Sequence, residues 1–147
     1  MRRIISISNL RFFFILILIL SIFIRCDDNE IPFPEVSVNV TLALDTQLGN
    51  MLVGEYRTID GHGLGGLIIY RADRNEFLAF DRACTYEASR KCVLEDAVSF
   101  FKCPCCESEF WMVGVDIAGS VYQGPASYPL KQYNCYFNAP NLVVVRN

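Results

Sequence analysis

Histidine is nearly missing from this chain: His62 is the only one in 147 residues. Serine–histidine nucleophilic catalysis would have to use it, and the G-x-S-x-G elbow that exposes such a serine is absent. A lone loop histidine is more often a plain surface residue than a metal ligand. Basic clusters interleaved with aromatics, which track a phosphate backbone, are missing too, so nucleic-acid binding is not expected. No apolar run reaches the about 20 residues that a membrane-spanning helix needs. The longest, Phe12 to Ile24, covers thirteen positions and is interrupted only by Ser21. Beyond it no 11-residue window carries the i, i+3, i+4 stripe of an amphipathic helix. The rest of the chain has no internal repeat and no low-complexity tract.

What is present suits one domain with a packed core: 52% of the residues are apolar. Arg2, Arg3 and Arg11 followed by the short apolar run read as a secretory signal over residues 1–25. The segment Arg25-Cys26-Asp27-Asp28 resembles a bacterial lipoprotein junction, in which the cysteine is lipidated and becomes the first residue. Arg25 departs from the small residue expected there. The alternative is an uncleaved anchor, and either way the domain lies outside the cytoplasmic membrane, in a bacterial cell envelope, with a membrane as partner. Cleavage before Cys26 removes four arginines and no acid, moving the net charge from −3 to −7. Residues 26–35, with Pro32 and Pro34, then form a tether.

Residues 36–147 read as an all-β domain, a small antiparallel sandwich or barrel. Val36 to Leu44 alternates, with Val36, Val38, Val40, Leu42 and Leu44 on one side. Further strands are expected at Leu67–Tyr70, Glu76–Phe80, Val98–Phe101, Phe110–Val115, Ser120–Gln123, Gln132–Phe137 and Leu142–Val145, with 138–141 as the last hairpin turn. Gly61, Gly63 and Gly66 have the G-x-G-x-x-G spacing of dinucleotide binding. That motif needs a helix after it, and a β-branched strand follows instead, so a turn between strands is expected. Phe77, Phe80, Tyr122 and Tyr133 read as core, Cys135 as a buried free thiol, and the pairs Glu95-Asp96 and Glu107-x-Glu109 as solvated loop charges.

Seven cysteines lie at 26, 84, 92, 103, 105, 106 and 135. Cys103-Pro104-Cys105-Cys106 packs three thiols into four residues, and Cys103 and Cys106 have the C-x-x-C spacing of a metal knuckle. A redox dithiol of that spacing needs a helix N-terminus, which Glu107 to Trp111 does not suggest. Export also permits disulfides, so spacing alone leaves metal and disulfides open.

Order and gaps add a resemblance. Cys84-Thr85-Tyr86, then Cys103 to Phe110 after sixteen intervening residues, then Gly119-Ser120-Val121-Tyr122-Gln123-Gly124-Pro125-Ala126 and Pro129-Leu130 resemble a Rieske iron–sulfur domain. That family has C-x-H, C-P-x-H-G-S-x-F and a covering loop. The resemblance covers about half the chain, residues 70–130, and implies a two-loop cysteine site at one end of the domain. It places Cys84 and Cys103 as cysteine ligands, Tyr86 and Cys106 at the two histidine positions, Gly124, Pro125 and Ala126 in the covering loop, and Cys92 and Cys105 as an inter-loop disulfide. Both histidines are replaced, and Glu107 replaces a glycine. The function expected is therefore non-enzymatic: a structural or interaction lipoprotein on a degenerate cofactor site. The alternatives are a 2Fe–2S electron-transfer protein with Cys84, Tyr86, Cys103 and Cys106 as ligands and an envelope redox partner, zinc on Cys84, Cys92, Cys103 and Cys106, or disulfides without metal.

Overall fold

The structure, a computed structural model, describes residues 33–147. The expected signal segment 1–25, Cys26 and most of the expected tether lie outside the described residues.

Ten strands and one 3₁₀ turn make up the described chain: β1 Asn39–Ala43, β2 Tyr56–Ile59, β3 Leu67–Asp73, β4 Glu76–Asp81, the turn Ala88–Arg90, β5 Glu95–Asp96, β6 Phe100–Lys102, β7 Glu109–Trp111, β8 Val121–Gln123, β9 Gln132–Asn138 and β10 Leu142–Arg146. No α-helix is present among the described residues. The strands form two antiparallel sheets: six strands in the order β1-β10-β9-β4-β3-β2, and four in the order β5-β6-β7-β8.

The β3–β4 hairpin is the shared wall. Leu67 and Ile69 of β3, with Phe77 and Ala79 of β4, face a core that also holds Val38, Leu42, Leu48, Met51, Val143 and Val145. Ile68, Tyr70 and Phe80 face the opposite way, onto Phe101, Phe110 and Met112 of the small sheet and onto Cys84 and Cys103. A strand buried on both faces has no polar side to show, which is why Leu67–Tyr70 reads as an unbroken apolar run. Phe101 and Phe110 stand opposite each other on β6 and β7 and are 1% and 0% exposed. Truncating either to alanine would cost about 3–5 kcal/mol.

Several elements differ from expectation for identifiable reasons. Within Val36–Leu44 only Asn39–Ala43 pairs in the sheet, though Val38, Leu42 and Leu44 are buried as the alternation predicts. Val98 is not in a strand: it has a left-handed φ of 71° and is 85% exposed. Tyr122 is not core. Its strand β8 is a sheet edge, and its half-exposed ring stacks on Phe100 at 4.7 Å and meets Trp111 edge-on at 4.5 Å. Cys135 is half-buried rather than buried. Phe33, inside the expected tether, is buried against Ala83 and Ala88.

The glycine-rich turn between β2 and β3 is fastened to the end of β4. Asp81, fully buried, accepts hydrogen bonds from Leu64 N–H at 2.6 Å, Gly65 N–H at 3.0 Å, Ala83 N–H at 2.8 Å and the Tyr133 hydroxyl at 2.8 Å. Gly65 is a glycine because a Cβ there would lie 2.6 Å from the Ala83 nitrogen. This is a packing role. His62 belongs to neither group of metal-capable side chains among the described residues.

Candidate metal centre

Three loops converge on one end of the small sheet. The first follows β4 and is zipped at its base by antiparallel bonding: Ala83 bridges Val93, Cys84 N–H donates to Cys92 O at 2.9 Å, and Leu94 N–H donates to Arg82 O at 2.9 Å. The second is the tight β6–β7 turn, closed by Cys103 N–H to Ser108 O at 2.8 Å and by Glu107 N–H to Cys103 O at 2.9 Å. Glu107 takes a left-handed φ of 61°, a conformation glycine adopts without side-chain cost. The third is the covering loop after β8. Its Ala126 N–H donates to Ser108 Oγ at 3.0 Å, and Thr85 Oγ1 donates to Tyr128 O at 2.8 Å. Thr85 and Ser108 thus tie the cover to both cysteine loops. Gly124 fits because a Cβ there would lie 2.5 Å from Ser108 Cα.

Cys92 and Cys105 form a disulfide across the two loops, with Cα atoms 6.4 Å apart. Cys84, Cys103 and Cys106 remain free thiols, the first two buried and the third partly exposed. Their sulfurs all lie within 4.8 Å of one another, and Cys84 Sγ is 3.6 Å from Cys106 Sγ. Because Cys92 is in the disulfide, the zinc set Cys84, Cys92, Cys103 and Cys106 is not what the fold presents. Tyr86 lines the same recess together with Glu87 and Arg90 and is half-exposed. A short ion pair of 2.6 Å joins Glu87 and Arg90 at the rim.

The thiols differ electrostatically. Burial pushes Cys84 up to about 12; the Tyr86 backbone N–H opposes this, and the neighbouring Cys103 and Cys106 add to it. Cys106 is held below the ordinary thiol value. Its partial burial works the other way but is outweighed by hydrogen bonding with the Ser108 hydroxyl and backbone, with Cys103 and Cys84 contributing. The Ser108 oxygen lies 3.1 Å from Cys106 Sγ.

The spacing suits a shared metal. Four sulfurs at about 2.3 Å from a tetrahedral ion stand about 3.8 Å from each other. The 3.6 Å Cys84–Cys106 pair matches one edge of that tetrahedron, and Cys103 Sγ lies within 4.8 Å of both. The same approach is open to a pair of cysteine ligands on one iron of a two-iron cluster, which divides its ligands between two irons.

Sequence reasoning did not single out Thr85 as a tie to the covering loop. Its one signal, a hydroxyl inside C-x-Y, says nothing of a partner 43 residues away.

No family model matches the chain, and no curated protein matches it. Among solved structures the chain is similar to a chain in the complex of reduced oxygenase and oxidized ferredoxin in carbazole 1,9a-dioxygenase. The identity is 18%, over 71% of this chain and 99% of that one, with a TM-score of 0.44. It is also similar to the Sphingomonas yanoikuyae B1 ferredoxin, with 19% identity, 75% and 99% coverage, and a TM-score of 0.45.

Proposed function

We propose that this protein is a non-enzymatic, lipid-anchored module of the bacterial cell envelope whose Rieske-type frame holds one zinc ion through Cys84, Cys103 and Cys106. The observation that carries the metal reading is the mutual approach of the three sulfurs within 4.8 Å. Tetrahedral thiolate sets suit zinc, which needs no redox chemistry and tolerates an oxidising compartment once bound. The fourth position falls to Tyr86, which lines the recess, or to water. Anchoring rests on the arginine-rich start, the short apolar run and Cys26 with its acidic followers. Thr85 and Ser108, both buried, hold the loops in place through their bonds to the covering loop.

The test is metal analysis on the full chain. One zinc per chain is expected, with thiolate-to-metal charge-transfer absorption after cobalt replacement, and loss of both in Cys106→Ser. Two irons with inorganic sulfide would support the electron-transfer alternative. No stoichiometric metal would leave a structural scaffold. Lipid labelling that disappears in Cys26→Ala checks the anchor separately.

A further inference from the structure

Cys84 Sγ and Cys106 Sγ face each other at 3.6 Å across 22 residues of chain, unbonded. A disulfide needs about 2.05 Å, so a small sulfur movement closes it. The two differ in access: Cys106 is partly exposed at the mouth of the recess, whereas Cys84 is 1% exposed behind it. The neighbour of Cys106, Cys105, is already bonded to Cys92 of the first loop, so the loops cannot drift apart.

We propose that Cys106 and Cys84 form a second, reversible inter-loop disulfide in response to hydroperoxides, Cys106 reacting first and Cys84 resolving. A reachable thiol poised beside a second one is the arrangement of thiol-based redox sensors. The Cys106 sulfur attacks the outer peroxide oxygen, the O–O bond breaks, and the leaving oxygen departs as water or alcohol after taking a proton. Cys106 is oxidised by two electrons to a sulfenic acid, and the peroxide is reduced by the same two. The Cys84 sulfur then attacks the Cys106 sulfur; the S–O bond breaks, and the hydroxyl leaves as water with the Cys84 proton. Two thiols and one hydroperoxide thus give one disulfide, one water and one alcohol or second water. The reaction uses the ion-free thiols and does not depend on the zinc reading. Where an ion is bound through these sulfurs, the two states exclude each other.

The experiment treats the chelated full chain with equimolar hydrogen peroxide, alkylates it, and maps peptides without reduction. Expected are a Cys84–Cys106 crosslink, the loss of two alkylatable thiols per chain, and recovery of both with a thiol reductant. Cys84→Ser should stop at a Cys106 sulfenic acid captured by dimedone, and Cys106→Ser should give neither crosslink nor dimedone label. The Cys92–Cys105 peptide in each variant reports that the loops are still folded. If Cys84 and Cys106 both remain alkylated after peroxide in the wild-type chain, or if Cys106 links to Cys103, the proposal is overturned. Zinc stoichiometry, measured on untreated protein, is unaffected by that outcome.

Discussion

Replacing Gly124 with alanine measures how closely the covering loop is built onto the second cysteine loop. Two costs are expected. The first is conformational: Gly124 has a φ of 107°, and an L side chain there costs about 1–3 kcal/mol. The second is steric: the new Cβ would lie 2.5 Å from Ser108 Cα and 2.8 Å from Ser108 Oγ. Ser108 Cα is backbone and cannot step aside, so the loop must lift. Lifting breaks the 3.0 Å bond from Ala126 N–H to Ser108 Oγ and orphans a buried donor, about 1–3 kcal/mol more. Gly54→Ala separates the two terms, because Gly54 has a φ of 88° with nothing within 4 Å of the added carbon. Urea denaturation followed by fluorescence of Trp111, the only tryptophan, gives both values with one probe. Gly124→Ala should cost about 1–3 kcal/mol more than Gly54→Ala, and it alone should weaken zinc binding. Equal costs for the two variants would refute the reasoning that the cover sits on Ser108.

Four further outcomes follow from the same structure. Asp81→Asn should lower stability by about 1–3 kcal/mol by turning an amide toward one of the buried N–H groups that Asp81 now accepts from; an unchanged urea midpoint would count against that role. Cys92→Ser should cost about 3 kcal/mol, the loop-closure value for cysteines 13 residues apart, and the loss should vanish when wild type and variant are compared in reductant. Burial, then the Asp96 hydrogen bond, raise Tyr56 to about 12, and burial alone raises Cys135 to about 12; both contribute stability that is full below about pH 9 and falls as pH rises toward 12, and Tyr56→Phe should flatten the part of the fall above pH 10 in urea midpoints taken across that range. Glu107→Gly should raise stability by about 1 kcal/mol, because the left-handed φ of 61° is then held by a residue with no Cβ, and a loss would show that the Glu107 side chain itself holds the turn.

How far the sequence could be read depends on where each residue's partners lie. β1, β9 and β10 were legible because one face of each is buried and alternation records it. β2 and β5 were not: Tyr56-Arg57-Thr58-Ile59 has one polar pair in its middle, and Glu95-Asp96 is two exposed charges that pair only because β6 lies alongside. Tyr122 looked like core because period two does not say whether a strand has a neighbour on its far side. Asp81 was invisible, since its donors come from 2, 16, 17 and 52 residues away. The glycines at 63 and 65, spaced for close backbone approach, were the one local trace of it.

Glu107 joins the two levels. The sequence shows a glutamate where the resembled frame has glycine, and the structure shows that residue still in the glycine conformation. Closure accounts for it: Cys103 N–H bonded to Ser108 O and Glu107 N–H bonded to Cys103 O hold the turn in this conformation. The same constraint separates the shape of the loops from the side chains they carry. Residues 86 and 106 project from loops fixed by backbone bonds, by a disulfide and by the bonds that tie the Thr85 and Ser108 hydroxyls to the covering loop, and Ser108 Oγ also meets Cys106 Sγ at 3.1 Å. A substitution there alters the chemistry inside the recess without unfastening the loops. With Cys106 Sγ 3.6 Å from Cys84 Sγ and Cys103 Sγ within 4.8 Å of both, these fixed loops gather three sulfurs around one point.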